Sequence, residues 1–181
     1  MQIKSGRWWF VVAALATSTL APPRAGAEVF TNGATAFHIW TVPGAVKRNG
    51  LVSEIVCTNI GLAPADIGVR FFDESGAAIN DFGVLPGPGA CNGAVLGVPP
   101  LGSASIANSG TAQLHEDCVV SSASVLNGAA KIFSSAKTIA CTAFLLDRDH
   151  AVEDPVSGLP TGVSPTVATL KVVKARKQNG D

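Results

Sequence analysis

The chain has 181 residues, with 13 Lys and Arg against 13 Asp and Glu, 47% hydrophobic residues and only 14% charged ones. This balance suits a single domain of ordinary size and excludes a nucleic-acid groove, which needs a concentrated basic face to displace counterions. It also leaves few side chains for acid–base or metal chemistry.

Residues 1–27 read as a cleaved signal peptide. Lys4 and Arg7 supply a positive start, residues 8–20 an apolar run, and Ala25-Gly26-Ala27 a small-x-small signal that places cleavage between Ala27 and Glu28. The apolar run is about 13 residues, against roughly 20 for a membrane span, and Pro22, Pro23 and Arg24 follow it. No cysteine sits at the signal and no Arg-Arg pair precedes it, which argues against a lipid anchor and against twin-arginine export. The expected product is exported to the periplasm or the cell exterior. It would comprise a domain over residues 28–173 and a basic, solvated tail over residues 174–181. Lys4, Arg7 and Arg24 leave with the leader, so that product is mildly acidic.

Residues 35–42 (TAFHIWTV) alternate and are rich in β-branched and aromatic side chains, which predicts a first strand. Pro43-Gly44 and Asn49-Gly50 bracket the connection to the next strand, residues 51–58. There one face carries Leu51, Ser53, Ile55 and Cys57, and the other carries Glu54. Burying the carboxylate costs far more than burying the hydroxyl, so the cysteine face is expected inside. A turn over residues 59–64 leads to a strand in which Ile67, Val69 and Phe71 alternate with Asp66, Gly68 and Arg70. Asp73-Glu74-Ser75-Gly76 then suits a type I turn, and the chain is expected to double back through residues 77–82.

Half of residues 83–102 are Gly or Pro, a density that predicts a long loop with no regular element. Residues 103–107 read as a short strand. Residues 118–126 and 129–133 flank Asn127-Gly128, a strong hairpin signal because both turn positions want positive φ. Another turn at residues 134–137 leads to a strand over residues 138–147, giving a three-strand antiparallel meander. Residues 148–165 are loop-like and residues 166–173 read as a last strand. No apolar spacing of helical period occurs after the leader.

About seven or eight short strands without helices define an all-β fold, an antiparallel β-sandwich or a barrel. Export places the four cysteines in an oxidising compartment, where they read as two disulfides. No close Cys-x-x-Cys spacing supports zinc instead. The residues Ile139, Cys141, Ala143 and Leu145 form an apolar face like that of Leu51–Cys57, so Cys57 and Cys141 are expected to meet across the core. Cys91 would then pair with Cys118 and pin the Gly/Pro loop. The alternative Cys57–Cys91 with Cys118–Cys141 stays open, since four cysteines permit three connectivities.

Residues 59–76, NIGLAPADIGVRFFDESG, resemble a pattern common in bacterial immunoglobulin-like and fibronectin-III-like modules. In those, an Asn-x-Gly turn leads into a Val-rich strand that ends in Phe-x-Asp and a glycine turn. The resemblance implies an immunoglobulin-like sandwich that binds, spaces or supports and does not catalyse. The chain departs from antibody-type domains in having no Trp in the strand after Cys57 and no Tyr at all.

Two polar clusters offer chemistry. His115 and Asp117, beside Glu116 and Cys118, could ligate a metal or form an acid–base pair, although neighbours in a loop rarely converge on one point. Asp147, Asp149 and His150, with Glu153 and Asp154 nearby, resemble an oxygen-rich calcium loop but lack the regular alternating spacing and include Arg148. His38, on a strand beside Trp40, reads as a structural histidine. There is no G-x-S-x-G elbow. A blue-copper site lacks its axial methionine, because the one Met is Met1. After cleavage Trp40 is the one Trp left as a platform for sugar stacking.

The reading that follows is a non-catalytic, disulfide-stabilised module without a cofactor, acting on another envelope or extracellular protein. Its contact surface would be an edge strand or the loop over residues 83–102. The alternatives are a metal-dependent module or hydrolase built on the two polar clusters, and a carbohydrate-binding module centred on Trp40.

Overall fold

The computed structural model describes residues 28–82, 92–109, 118–120, 124–147 and 167–175; the leader, Cys91, His115, Asp117, Asp149 and His150 lie outside them. Among the described residues there are eleven strands and no helix. They are β1 (Glu28–Val29), β2 (Thr35–Arg48), β3 (Leu51–Asn59), β4 (Ala65–Phe72), β5 (Ala94–Val98), β6 (Ser103–Ala107), β7 (Cys118–Val119), β8 (Val125–Ser134), β9 (Ile139–Asp147), β10 (Val167–Leu170) and β11 (Val173–Lys174).

Strands β5, β4, β8 and β2 pair in that order, and so do β6, β3, β9 and β10. The β2–β3 hairpin joins these two ladders through Lys47↔Val52 and Arg48↔Leu51. Every pairing is antiparallel except the two-residue contact of β6 with β7. The C-terminal segment passes from one ladder to the other, β10 lying on β9 and β11 on β2. One buried cluster draws side chains from both ladders, including Val42, Ile67, Val69, Phe71 and Ile132 from the first and Ile55, Cys57, Ile106 and Ala143 from the second.

The alternation in β4 explains its central place. Ile67, Val69 and Phe71 are fully buried in the shared core. The opposite face of the same ladder carries a smaller cluster of Phe30, Ala36, Phe82, Ala94 and Phe133. Gly68 makes room for it, since a Cβ there would lie 2.9 Å from the Phe30 ring and 3.0 Å from that of Phe82. Arg70 lies 4.7 Å above the Phe82 ring and pairs with Glu28 at 2.7 Å, which fastens the N-terminal segment over this face. A partly exposed pair of this kind contributes at most about 1 kcal/mol, so the ring packing dominates.

Several expectations need correction. Strand β2 continues past Val42 to Arg48. Pro43 is tolerated because the edge of β2 has no described partner there, between β11 at Trp40–Thr41 and β3 at Lys47–Arg48. The ladder is also bulged there, beside Gly44 at φ 79°. Asn127-Gly128 makes no hairpin, because β8 runs straight through it. Gly128 serves close packing instead: a Cβ would lie 2.0 Å from the Phe72 carbonyl oxygen. The expected meander therefore does not form. Strand β8 lies between β2 and β4, and β9 lies between β3 and β10.

The Gly/Pro-rich stretch over residues 83–102 does contain a strand, β5. Its glycines take up the irregularity, Gly93 at φ 118° and Gly97 at φ 69°. Glu54, expected at the surface, is fully buried. Its strand is flanked there on both sides, by Ala107 of β6 and Phe144 of β9, and its carboxylate accepts a hydrogen bond from the Ser105 hydroxyl. Toward the end of β9 the buried position is Leu146, and Leu145 is only half-buried.

Cys57 and Cys141 are bonded, with Cα atoms 4.1 Å apart. They do not face each other across the core as expected. They are directly opposed on adjacent strands β3 and β9, near the roughly 4.5 Å spacing of a non-hydrogen-bonded antiparallel pair.

Candidate functional site

Most of the two polar clusters lies outside the described residues. Of the candidate ligands only Asp147 is described, half-buried at the end of β9. Among the described residues no group of three His, Cys, Asp or Glu side chains could hold a metal ion. Cys118 is disulfide-bonded, and its expected partner Cys91 lies outside the described residues.

His38 is engaged locally. Its Nε2 lies 3.1 Å from the Trp40 carbonyl oxygen and 3.0 Å from Thr41 Oγ1, and its ring packs 5.3 Å from that of Phe133. The residue is exposed overall, yet burial of the ring, and then the Lys131 charge, lower its pKa against an upward effect of the Trp40 carbonyl. Folding thus favours the neutral imidazole. That contribution is complete above the ordinary histidine value and declines as pH falls from there toward the depressed one. Trp40 is half-buried against the main core with its Nε1 3.4 Å from the Ile139 carbonyl oxygen, so its ring is not a free-standing platform.

Three asparagines stand where strand ladders stop. Asn80 Oδ1 accepts from the Phe71 amide at 2.7 Å, while its Nδ2 donates to the carbonyls of Val69 and Asn92 at 2.8 and 2.6 Å. Its side chain therefore fills the gap beside β4. Asn108 lies at the fork where β6 and β2 part. It accepts from the Ser53 amide at 3.1 Å and donates to the Val46 carbonyl at 3.0 Å. Each of them satisfies backbone groups that would otherwise be orphaned.

The third, Asn59, builds an unusual surface. It is fully buried, and its Nδ2 donates to the carbonyls of Ala63 and Val98 at 2.7 and 2.9 Å. Its Oδ1 accepts from the Gly61 amide at 2.9 Å, and its own carbonyl accepts from the Leu101 amide at 2.7 Å. One side chain thereby locks the turn after β3 to the turn between β5 and β6. The Ile60 amide donates to the Thr138 carbonyl at 3.0 Å, which adds the loop before β9.

What these locked loops present is apolar. Leu62 is 100% exposed, Leu101 81% and Ile60 57%. Pro64, Pro99 and Pro100 are also exposed, and residues 60–64 and 99–102 contain no polar side chain. Leu101 sits at φ 61°, a region that a bulky residue rarely enters. Isolated exposed leucines are common on proteins and need no explanation. Clustered ones held rigidly at one end of a molecule indicate a contact. Sequence reasoning missed this surface. The available signal was two turns, IGLAP and PPLG, whose projecting positions are aliphatic where turn chemistry favours polar residues.

The described residues thus form an all-β, disulfide-stapled framework with apolar loop tips. No protein-family model matches the chain, and no curated protein or solved structure matches it either.

Proposed function

We propose that the chain is an exported β-sandwich, immunoglobulin-like in type, which acts by contact at its apolar loop end and performs no catalysis. Two ladders sharing one buried cluster support the sandwich, and the leader-like residues 1–27 support export. The contact surface differs from the edge strand or Gly/Pro loop expected from sequence. The observation that carries the reading is Leu62 and Leu101, almost wholly exposed yet fixed in place by a buried asparagine.

Rigid presentation matters because a contact surface ordered in advance loses little entropy on binding. The disulfide two positions before Asn59 adds to this rigidity. The test is fractionation of cells exporting the chain. Wild type is expected with the envelope or cell surface, and Leu62→Asp/Leu101→Asp in the soluble fraction with an unchanged melting temperature. Envelope association retained by that variant contradicts the reading, as does hydrolytic turnover by the purified chain.

A further inference from the structure

Building on the reading of this end as the contact surface, we infer that it enters the surface of a lipid bilayer, with Leu62, Leu101 and Ile60 among the acyl chains and Lys137 at the headgroups. Shape is the first argument. Leu62 is 100% exposed, so it touches nothing of its own chain and projects as a spike. A bilayer accommodates a projecting side chain anywhere on its surface, whereas a protein partner needs a matching cavity.

Hydrogen bonding is the second argument. A loop leaves water at lower cost when most of its backbone polar groups have partners inside the protein. Here the amides of Ile60, Gly61, Leu101 and Gly102 donate within the protein, to Thr138, Asn59 Oδ1, Asn59 and Pro99 respectively, which leaves those of Leu62 and Ala63 to be met by the hydrated headgroup zone. Pro64, Pro99 and Pro100 have no amide hydrogen at all.

Charge is the third. On the adjoining loop Lys137 is exposed, with its ammonium 5.6 Å above the ring of Phe37, itself 43% exposed. An aromatic and a cation at the rim of an apolar tip match the headgroup zone of a bilayer with anionic lipid. Asp66, the acid nearest these loops in sequence, does not oppose this. It is buried, and its oxygens accept from Asn32 Nδ2 at 2.9 Å and from the Gly97 amide at 2.8 Å.

The experiment uses the exported chain from Glu28 onward and vesicles of phosphatidylcholine, with or without phosphatidylglycerol, carrying brominated acyl chains. A tryptophan is introduced at the tip as Leu62→Trp and at the opposite end of β4 as Glu74→Trp. Quenching beyond that of the native Trp40 is expected for Leu62→Trp and not for Glu74→Trp. Leu62→Asp is expected to weaken vesicle partition at least about tenfold, and Lys137→Glu to weaken it about fivefold on the anionic vesicles alone. Absence of added quenching at the tip, equal quenching at both ends, or unchanged partition of Leu62→Asp overturns the inference. If vesicles fail while envelope association is still lost in Leu62→Asp/Leu101→Asp, the occupant is a protein and the contact reading stands.

Discussion

The two ends of β4 are closed in opposite ways. Beyond Phe72 the chain turns through Asp73-Glu74-Ser75-Gly76, where Asp73 Oδ1 accepts from the amides of Ser75 and Ala77, both at 2.9 Å, and from the Ser75 hydroxyl at 2.6 Å. Everything at that turn is polar, local and hydrated, and Gly76 supplies the positive φ of 82°. Before Ala65 the loops are held by a buried amide and a nearby disulfide, and they show water only aliphatic side chains. A turn that merely reverses the chain needs no such construction. The difference teaches that the Asn59 end is locked by side-chain and long-range bonds around exposed aliphatic tips, whereas the Asp73 end is closed by local polar bonds alone.

Breaking that construction should have graded effects. The largest is expected from the staple. Cys57→Ala/Cys141→Ala removes a cross-link between positions 84 residues apart, which lowers unfolding stability by about 4 kcal/mol in denaturant titration. Next is Asn59→Ala, which leaves the Ala63 and Val98 carbonyls and the Gly61 amide without their partner. The expected loss is about 3 kcal/mol or more, with faster amide exchange in residues 60–64 and 99–102 than in the 73–76 turn.

A smaller, pH-dependent effect belongs to the polar end. Hydrogen bonds from the Ser75 hydroxyl, and then from the Ala77 amide, hold the Asp73 carboxyl below its ordinary value. Its stabilising contribution is complete above the ordinary aspartate value and is lost as pH falls through the depressed one. NMR titration should show that low midpoint, and Asp73→Asn should flatten the acid limb of stability without altering the apolar end. The smallest effect on stability is expected from Leu62→Asp, within about 0.5 kcal/mol of wild type. A larger loss in thermal unfolding would mean that Leu62 supports the fold and is not a free contact.

Much of the framework was legible because strand faces are short-range patterns. Ile67, Val69 and Phe71, the turn at Asp73–Gly76 and the strands around Cys57 and Cys141 follow from alternation and turn chemistry alone. The errors came where partners distant in sequence decide. Two of the chain's five Asn-Gly pairs make the point, since they share one local preference. Asn49-Gly50 takes φ 48° and 79° and makes the β2–β3 turn, while Asn127-Gly128 stays extended. At Gly128 the decisive neighbour is the Phe72 carbonyl, which no local rule reveals. The two cysteines were paired correctly, but period-2 reasoning does not distinguish a partner on the next strand from one across the core. Glu54 was misplaced for a related reason: desolvation cost argues against burial only when no hydroxyl such as that of Ser105 waits to receive the carboxylate. The apolar end stayed hidden because its locking residue looks like an ordinary turn asparagine until Val98 and Leu101 are brought beside it.

The account is tested most directly by sedimenting envelope membranes from cells exporting three chains: wild type, the loop-end variant Leu62→Asp/Leu101→Asp and the turn-end variant Glu74→Ala. It predicts that wild type and Glu74→Ala pellet alike while the folded loop-end variant stays in solution. Equal pelleting of all three would contradict it.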